Sequence, residues 1–266
     1  MAAFRQLPAV FYLVLAYVFI FLPVVILVLF SFQDGLLPVP PFDGPSLKWY
    51  IRLVGNSRLV EALGNSILVA LVSSLAATTL GFLAAYALAR RDIFLAGAVR
   101  YLLMAPLTVS YLIIGMGLLI TFSMVGIPKS LFAIGIGHVV INLPLCFAIV
   151  YSQLGEHQRN IERAAHDLGA SDLQSLVLVT IPMLQPALLA SFCLAATLSW
   201  DEFIIAFLLS RFDVTLPVII FEMLSAGLNP VLNAAGTVVF AISIMFVLAA
   251  IVMATRRKRS DVDATG

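Results

Sequence analysis

The residues with the clearest chemical potential are two adjacent carboxylates, Asp201 and Glu202, in the apolar sequence SWDEF. They are the only carboxylates well inside a predicted membrane span, where an ionisable side chain is costly and usually faces a bundle interior or an aqueous path. Adjacent side chains on a helix point about 100° apart, so both cannot face one narrow path. One carboxylate could line a path beside Trp200, while the other pairs with a neighbouring helix or a second subunit.

The other residue types that commonly do chemistry are sparse. Cys146 and Cys193 lie in apolar runs and are expected to be small buried hydrophobes, neither a disulfide nor a metal pair. His138 is expected to be packed and hydrogen-bonded. The sequence has no metal-ligand spacing and no GxxxxGK[ST] phosphate loop. We therefore expect no catalytic residue, no metal site and no cofactor bound by this chain.

The composition indicates a chain made largely of membrane-spanning helices. Of its 266 residues, 62% are hydrophobic and 11% are charged, and the mean hydropathy is +1.09. Apolar runs of about 18 or more residues can cross a bilayer, where the backbone must satisfy its own hydrogen bonds. A net charge of +1 makes nucleic acid an unexpected partner. An all-α membrane fold with six helices is predicted, at residues 9–31, 59–89, 101–124, 131–154, 184–210 and 232–254.

The distribution of Lys and Arg predicts the orientation of these spans. The first span is too long for a signal-peptide core of about 7–15 residues, so we expect it to be retained. With the N-terminus inside, ten basic residues face the cytoplasm and five lie outside, and the inside group includes RRKR at 256–259. Both termini are therefore expected in the cytoplasm.

Two outer segments connect the spans. Residues 33–58 are rich in Pro and Gly and form a predicted outer loop, in which Trp49 and Tyr50 would anchor at the membrane interface. Residues 211–231 are expected to hold a short helix on the outer face, with Thr215 as its cap.

Helix packing is also predicted from residue size. The small residues at 73–81 would let neighbouring helices approach closely, within the chain or in a second subunit. Pro106 and Pro144 are expected to cause only local kinks, which membrane helices tolerate.

The chain is predicted to consist of a first span with its outer loop (1–58), a five-helix core (59–255) and a basic cytoplasmic tail (256–266). Inside the core, residues 155–183 form a polar stretch on the predicted cytoplasmic side. We call this stretch the insert. A soluble segment of this length in a membrane chain indicates a docking site for a soluble partner.

The insert has the sequence pattern of two short helices joined by a glycine. Gly169 can end the first helix in a left-handed conformation, and Ser171 with Gln174 forms a capping box that begins the second. In the first helix, the apolar stripe is Ile161, Ala164, Ala165 and Leu168, opposite Glu162, Arg163, His166 and Asp167. In the second, the predicted inner face is Leu173, Leu176, Val177 and Thr180 or Ile181.

An amphipathic hairpin lying on lipid headgroups would have a similar pattern. The first helix of the insert is short, however, and two of the four residues in its stripe are alanine. Such a face would bind a membrane poorly.

The insert resembles the cytoplasmic motif of permeases in binding-protein-dependent ABC importers. That motif consists of Glu-Ala-Ala, three residues, Gly, nine residues and Ile-x-Leu-Pro. The same spacing connects residues 163–165, Gly169 and residues 179–182 here, with Arg163 at the acidic position and Glu162 one place earlier. The resemblance implies an ATPase-coupling role for Glu162, Arg163, Ala164, Ala165, Asp167, Leu168, Gly169, Ala170, Val179 and Pro182.

The resemblance extends over most of the chain. Within the family, the chain looks most similar to the second permease subunit of spermidine/putrescine importers. It includes SLKWY at 46–50, NSILVALVSS at 65–74, TLSWDEFIIAFLLS at 197–210 and GLNPVLNAAGT at 227–237. It implies a type I importer permease fold in a bacterial inner membrane. It also implies four kinds of partner: a second similar permease, two copies of a cytoplasmic ATPase that binds ATP and Mg, an extracytoplasmic binding protein and the lipid bilayer.

For such a permease, the resemblance implies a polyamine as the solute. A desolvated carboxylate next to Trp200 suits a flexible polycation, through ion pairing and cation–π contact. Asp201 and Glu202 could instead be a structural or gating pair, and opines or aminoalkylphosphonates are alternative solutes. An ion-coupled secondary transporter would need charges in several spans, and an intramembrane enzyme would need a catalytic set at membrane depth; the sequence has neither.

Overall fold

The computed structural model describes residues 2–36, 40–227 and 230–263, which are folded almost entirely into helices, as predicted. Within these ranges, extended pairing is limited to an isolated antiparallel bridge between Gln33 and Pro45. The helices are α1 (Ala2–Ser31), α2 (Lys48–Val54), α3 (Ser57–Arg90), α4 (Ala96–Met104), α5 (Tyr111–Val125), α6 (Leu131–Gln153), α7 (Glu156–Asp167), α8 (Asp172–Ser175), α9 (Ile181–Trp200), α10 (Ile204–Leu209), α11 (Leu216–Ser225) and α12 (Pro230–Asp263).

The number of possible membrane crossings agrees with the sequence. In the described part of the chain, five segments are long and apolar enough to cross a bilayer, and the bent pair of α4 and α5 would make a sixth. The five segments are Val10–Ser31, Ser57–Arg90, Leu131–Gln153, Asp172–Trp200 and Pro230–Leu248. Pro144 lies inside α6 without ending it, as expected.

The third predicted span, 101–124, is not one helix. α4 continues through a 3-10 turn at Ala105–Thr108, and the axis of this segment makes an angle of 109° with α5. The bend that follows Pro106 is therefore much larger than the local kink that the sequence predicted. Val109 is extended, and Ser110 begins α5 afresh, because its side chain accepts a hydrogen bond from the N–H of Leu112.

The fifth predicted span, 184–210, is also divided. α9 ends at Trp200 and α10 begins at Ile204. Asp201 and Glu202 therefore lie at a break between two helices, where the sequence predicted a continuous span.

The described residues form two compact units, the first from parts of Met1–Glu61 and Ile219–Ile242. In this unit Trp49 is 2% exposed, and its indole N–H donates to the carbonyl of Gln33 at 2.6 Å. The expected interfacial anchor at Trp49 was wrong, because this indole has a buried partner. Lys48 pairs with Asp34, and this hydrogen-bonded ammonium holds the pKa of the Asp34 carboxyl below its ordinary value.

The second unit is formed from Ala62–Val218 and the described part of Ser243–Gly266, and it contains the main helix bundle. Small residues bring α3 against α6: a Cβ on Gly81 would lie 2.8 Å from the backbone nitrogen of Phe147 and 2.9 Å from the Cβ of Cys146. Ala77, Cys146 and Ala195 pack together nearby. The close packing predicted from residues 73–81 is thus confirmed within the chain.

Replacing Gly81 with valine is expected to destabilise the bundle. The new side chain meets backbone and not a flexible side-chain end, so α3 and α6 must separate. We expect a loss of about 1–3 kcal/mol, measured as a lower midpoint of thermal unfolding in detergent. Gly64→Ala on the same helix is the control, since a Cβ there has no atom within 4 Å. Equal midpoints for the two variants would contradict this packing.

Candidate functional site

The turn of the insert is built by Gly169, as the sequence predicted. Gly169 has φ +91° and follows the end of α7. Its N–H donates to the carbonyl of His166 at 2.8 Å, and the N–H of Ala170 donates to the carbonyl of Ala165 at 3.0 Å. These two bonds form a Schellman motif, which satisfies the last carbonyls of α7. The hairpin angle is therefore fixed by hydrogen bonds.

The second helix of the insert also begins as predicted. Ser171 accepts from the N–H of Gln174 at 3.3 Å, and the Gln174 side chain accepts from the N–H of Ser171 at 2.9 Å. This capping box starts α8, which runs through a π-helical turn, Leu176–Thr180, into α9. The second helix of the insert and the fifth membrane helix are consequently one continuous helical segment, Asp172–Trp200.

The buried face of the insert agrees only in part with the sequence pattern. Glu162, which the sequence placed on the polar face, is buried, whereas Ile161, Ala164 and Leu168 of the predicted apolar stripe are exposed. In the second helix, Leu173 and Val177 of the predicted inner face are exposed, whereas Thr180 of that face is buried as predicted, together with Ser175. The apolar stripe therefore faces away from the bundle.

Glu162 is buried because it has charged and polar partners. The Arg90 guanidinium, at the end of α3, donates from Nε to Glu162 Oε2 at 2.5 Å and from Nη2 to Oε1 at 3.3 Å. The Thr180 hydroxyl donates to Oε1 at 2.9 Å. The Arg90 and Glu162 side chains are only 10% and 7% exposed. Such a bidentate pair compensates the cost of burying both charges.

The outward face of the insert presents an apolar side chain at its tip. Leu168 is 90% exposed and lies directly before the Gly169 turn. Of the other insert residues predicted to contact an ATPase, Arg163, Ala164, Asp167, Gly169 and Pro182 are exposed, and Ala165, Ala170 and Val179 are half-buried. An apolar tip surrounded by charged side chains is a typical protein-docking surface.

The two carboxylates of SWDEF have different surroundings. Glu202 is buried and accepts hydrogen bonds from the N–H of Ile205 at 2.9 Å and of Ala206 at 3.2 Å, so it caps α10. Its Oε2 also lies 3.4 Å from Nε2 of His138 in α6. Asp201 is exposed. The structure thus separates the pair into one structural carboxylate and one accessible carboxylate.

The Trp200 side chain is buried within the chain. It is 1% exposed, and its ring packs against Phe246, with centroids 6.1 Å apart. Phe203 and Phe207 follow Asp201 in the sequence, and their ring centroids are 5.4 Å apart.

A buried polar chain connects three helices of the bundle. His138 Nδ1 lies 2.6 Å from Ser199 Oγ, and Ser199 Oγ lies 3.0 Å from Ser73 Oγ in α3. His138 is thus packed and hydrogen-bonded, as expected. With Glu202 at its other nitrogen, this chain fixes the break between α9 and α10 against α3 and α6.

Several functional contacts were missed from the sequence. Arg90 was counted only as a positive charge on the cytoplasmic side. Thr215 was expected to cap α11, yet its buried hydroxyl has no hydrogen-bond partner among the described residues, and Ser66 Oγ instead binds the N–H of Leu216 at 2.8 Å. No spacing within the sequence indicates these contacts, because each joins residues far apart in the chain.

The reactive side chains do not assemble a metal site in the described ranges. No group of three His, Cys, Asp or Glu residues there could hold a metal ion. Cys146 and Cys193 are both buried free thiols, as expected, and Cys146 lies 3.6 Å from the hydroxyl of Thr78.

Comparison with known proteins gives one family. Residues 77–258 match the family described as "Binding-protein-dependent transport system inner membrane component". The chain is 33% identical to the putrescine transport system permease protein PotI of Escherichia coli K12 over 93% of this chain and 91% of that protein. It is 29% identical to the spermidine/putrescine transport system permease protein PotC of the same strain, over 92% and 93%.

A solved structure has a similar fold. It is a bacterial alginate ABC transporter in complex with an alginate pentasaccharide-bound periplasmic protein. The TM-score is 0.72 at 16% sequence identity, and the match covers 95% of each chain. At this identity the likeness describes the fold alone.

Proposed function

Because the chain belongs to the family of inner membrane components of binding-protein-dependent transport systems, we propose that it is one permease subunit of an ATP-driven importer of polyamines. The observation that carries this proposal is the family match, which covers residues 77–258 and so includes the whole insert. In this arrangement both termini and the insert lie in the cytoplasm, which agrees with the excess of Lys and Arg on that side.

The partners follow from the proposed role. Two copies of a cytoplasmic ATPase bind ATP and Mg, and each grips the insert of one permease. A second, similar permease completes the path, and an extracytoplasmic binding protein delivers the solute to the outer loops. The hydrogen-bonded hairpin turn and the exposed Leu168 support such a grip, since a lever must be stiff and must present an apolar contact.

The coupling step is mechanical in this proposal. ATP binding closes the ATPase dimer and draws the two inserts together. Because the π-helical turn joins α8 to α9 without a loop, movement of the insert acts directly on the fifth membrane helix. The path then changes from inward-facing to outward-facing.

A polyamine is the proposed solute for two reasons. The relatives at 33% and 29% identity are permeases of putrescine and spermidine/putrescine transport systems. In addition, Asp201 is an exposed carboxylate that Phe203 and Phe207, two packed aromatic residues, follow in the chain. A carboxylate with aromatic faces suits the ammonium groups of a flexible polycation.

Exchange of Asp201 for asparagine is expected to impair polyamine uptake. The exposed carboxylate would lose its attraction for an ammonium group, whereas the cap of α10 by Glu202 would be unchanged. Loss of one close charge partner costs about 2 kcal/mol or more, or roughly 30-fold or more in kcat/KM. The measurement is uptake of labelled putrescine by proteoliposomes that contain the complete transporter.

The matched control is Asp213→Asn, another exposed carboxylate, which lies after α10. This variant should transport at the wild-type rate. Unchanged affinity and rate in Asp201→Asn would make Asp201 a structural residue. Absence of labelled putrescine and spermidine uptake by the complete wild-type transporter would indicate another class of solute in the same type of importer.

A further inference from the structure

We infer that Arg90 is a positioning residue that fastens the insert to α3, so that the insert and the adjoining end of the bundle move as one body. This inference rests on the proposed coupling role of the insert. It assigns a transmission function to the side chains of Arg90, Glu162 and Thr180, two of which lie outside the set of residues expected to contact the ATPase.

The connections of the insert show why this contact matters. α7 follows α6 directly, and α8 continues into α9, so backbone links the insert to those two helices. α3 has no such link. Two ion pairs join its end to the insert in the described residues: the buried Arg90–Glu162 pair, and Arg91–Asp172 at 3.6 Å.

These two ion pairs are unequal. The side chains of Arg91 and Asp172 are 73% and 82% exposed, so water and salt weaken their attraction. Arg90 and Glu162 are shielded from solvent and make two hydrogen bonds to each other. Arg90 Nη1 also donates to the carbonyl of Leu154, in the link between α6 and α7, at 3.5 Å. Arg90 therefore contacts both α7 and the segment that leads into it.

Thr180 closes the contact on the other side of the hairpin. Its hydroxyl donates to Glu162 Oε1 at 2.9 Å, and Thr180 ends the π-helical turn that leads into α9. One carboxylate thus receives hydrogen bonds from α3 and from the start of the fifth membrane helix. A force on α7 is shared between these two elements through Glu162.

The test compares Arg90→Gln with Arg91→Gln, its neighbour in the exposed pair. Hydrogen exchange of the α7 amides in the full-length chain in nanodiscs measures the fastening without any ATPase. We expect Arg90→Gln to accelerate this exchange about tenfold or more, because a buried carboxylate loses its cation. Arg91→Gln should leave it unchanged. Equal exchange in the wild type and Arg90→Gln would overturn the inference.

The second measurement is the ATP hydrolysed per solute imported by the assembled transporter. We expect Arg90→Gln to assemble with the ATPase, since the outward face of the insert is intact, and to raise this ratio about tenfold or more. If Arg90→Gln loses uptake only because it no longer assembles with the ATPase, the transmission role would be overturned. A wild-type chain that binds no ATPase would refute the proposed importer instead, and the exchange result would still test the fastening.

Arg90→Gln can also fail to fold, because Glu162 would remain buried and unpaired. The double variant Arg90→Gln/Glu162→Gln removes both charges and keeps amide groups for Thr180 and Leu154. If the two residues act as a pair, the α7 amides of the double variant exchange no faster than those of Arg90→Gln. The double variant also still hydrolyses more ATP per solute imported than the wild type. Normal coupling in a well-folded double variant would overturn the inference.

Discussion

Replacing Gly169 with proline is expected to abolish ATP-driven uptake while the chain still inserts into the membrane. Gly169 has φ +91°, and proline fixes φ near about −65°. Proline also removes the N–H that donates to the carbonyl of His166, and it favours an extended conformation for the residue before it, whereas Leu168 has φ −83° and ψ 6°. The combined cost of about 3 kcal/mol or more would break the turn that sets the hairpin angle.

Gly169→Asn is the matched control for this substitution. A Cβ at Gly169 has no atom within 4 Å, so space is available and only the backbone conformation is tested. Asparagine tolerates the left-handed region better than other non-glycine residues. We expect the Gly169→Asn variant to retain much of the uptake. Proteoliposome uptake at the wild-type rate by Gly169→Pro would remove the hairpin from the coupling mechanism.

Leu168→Asp is expected to prevent association with the ATPase. Leu168 is 90% exposed at the tip of the insert, so the substitution removes nothing from the core of this chain. In a closed interface the new carboxylate would be desolvated without a partner, and an apolar anchor would be lost. We expect a loss of about 2 kcal/mol or more, roughly 30-fold in affinity, measured by titrating the purified ATPase.

Leu168→Met keeps the apolar volume of this side chain and is expected to bind normally. Thermal unfolding of both variants without ATPase should match that of the wild type, because the side chain is exposed. Binding of Leu168→Asp at wild-type affinity would show that the ATPase grips another part of the chain.

Features encoded by neighbouring residues could be predicted from the sequence. The turn at Gly169 and the capping box of Ser171 and Gln174 need only residues within one helical turn of each other. The long apolar runs likewise predicted the number of spans, since length and hydropathy are local properties. Family resemblance supplied the proposed role of the insert, which no local pattern states.

Features that depend on distant partners could not be predicted. Glu162 lies on the polar side of the helical pattern, yet it is buried because Arg90, 72 residues earlier, meets it with two hydrogen bonds. The difference between Asp201 and Glu202 has the same origin, since only the fold places His138 beside Glu202. The burial of Trp200 has the same origin, because its ring packs against Phe246, which is far away in the sequence.

The most direct test of the central claim is reconstitution of putrescine uptake into liposomes from separately purified parts. The account predicts uptake only when this chain is combined with its second permease, the ATPase, the binding protein and ATP, and no uptake when ATP is replaced by a non-hydrolysable analogue. Solute accumulation by this chain alone, driven by an ion gradient, would contradict it.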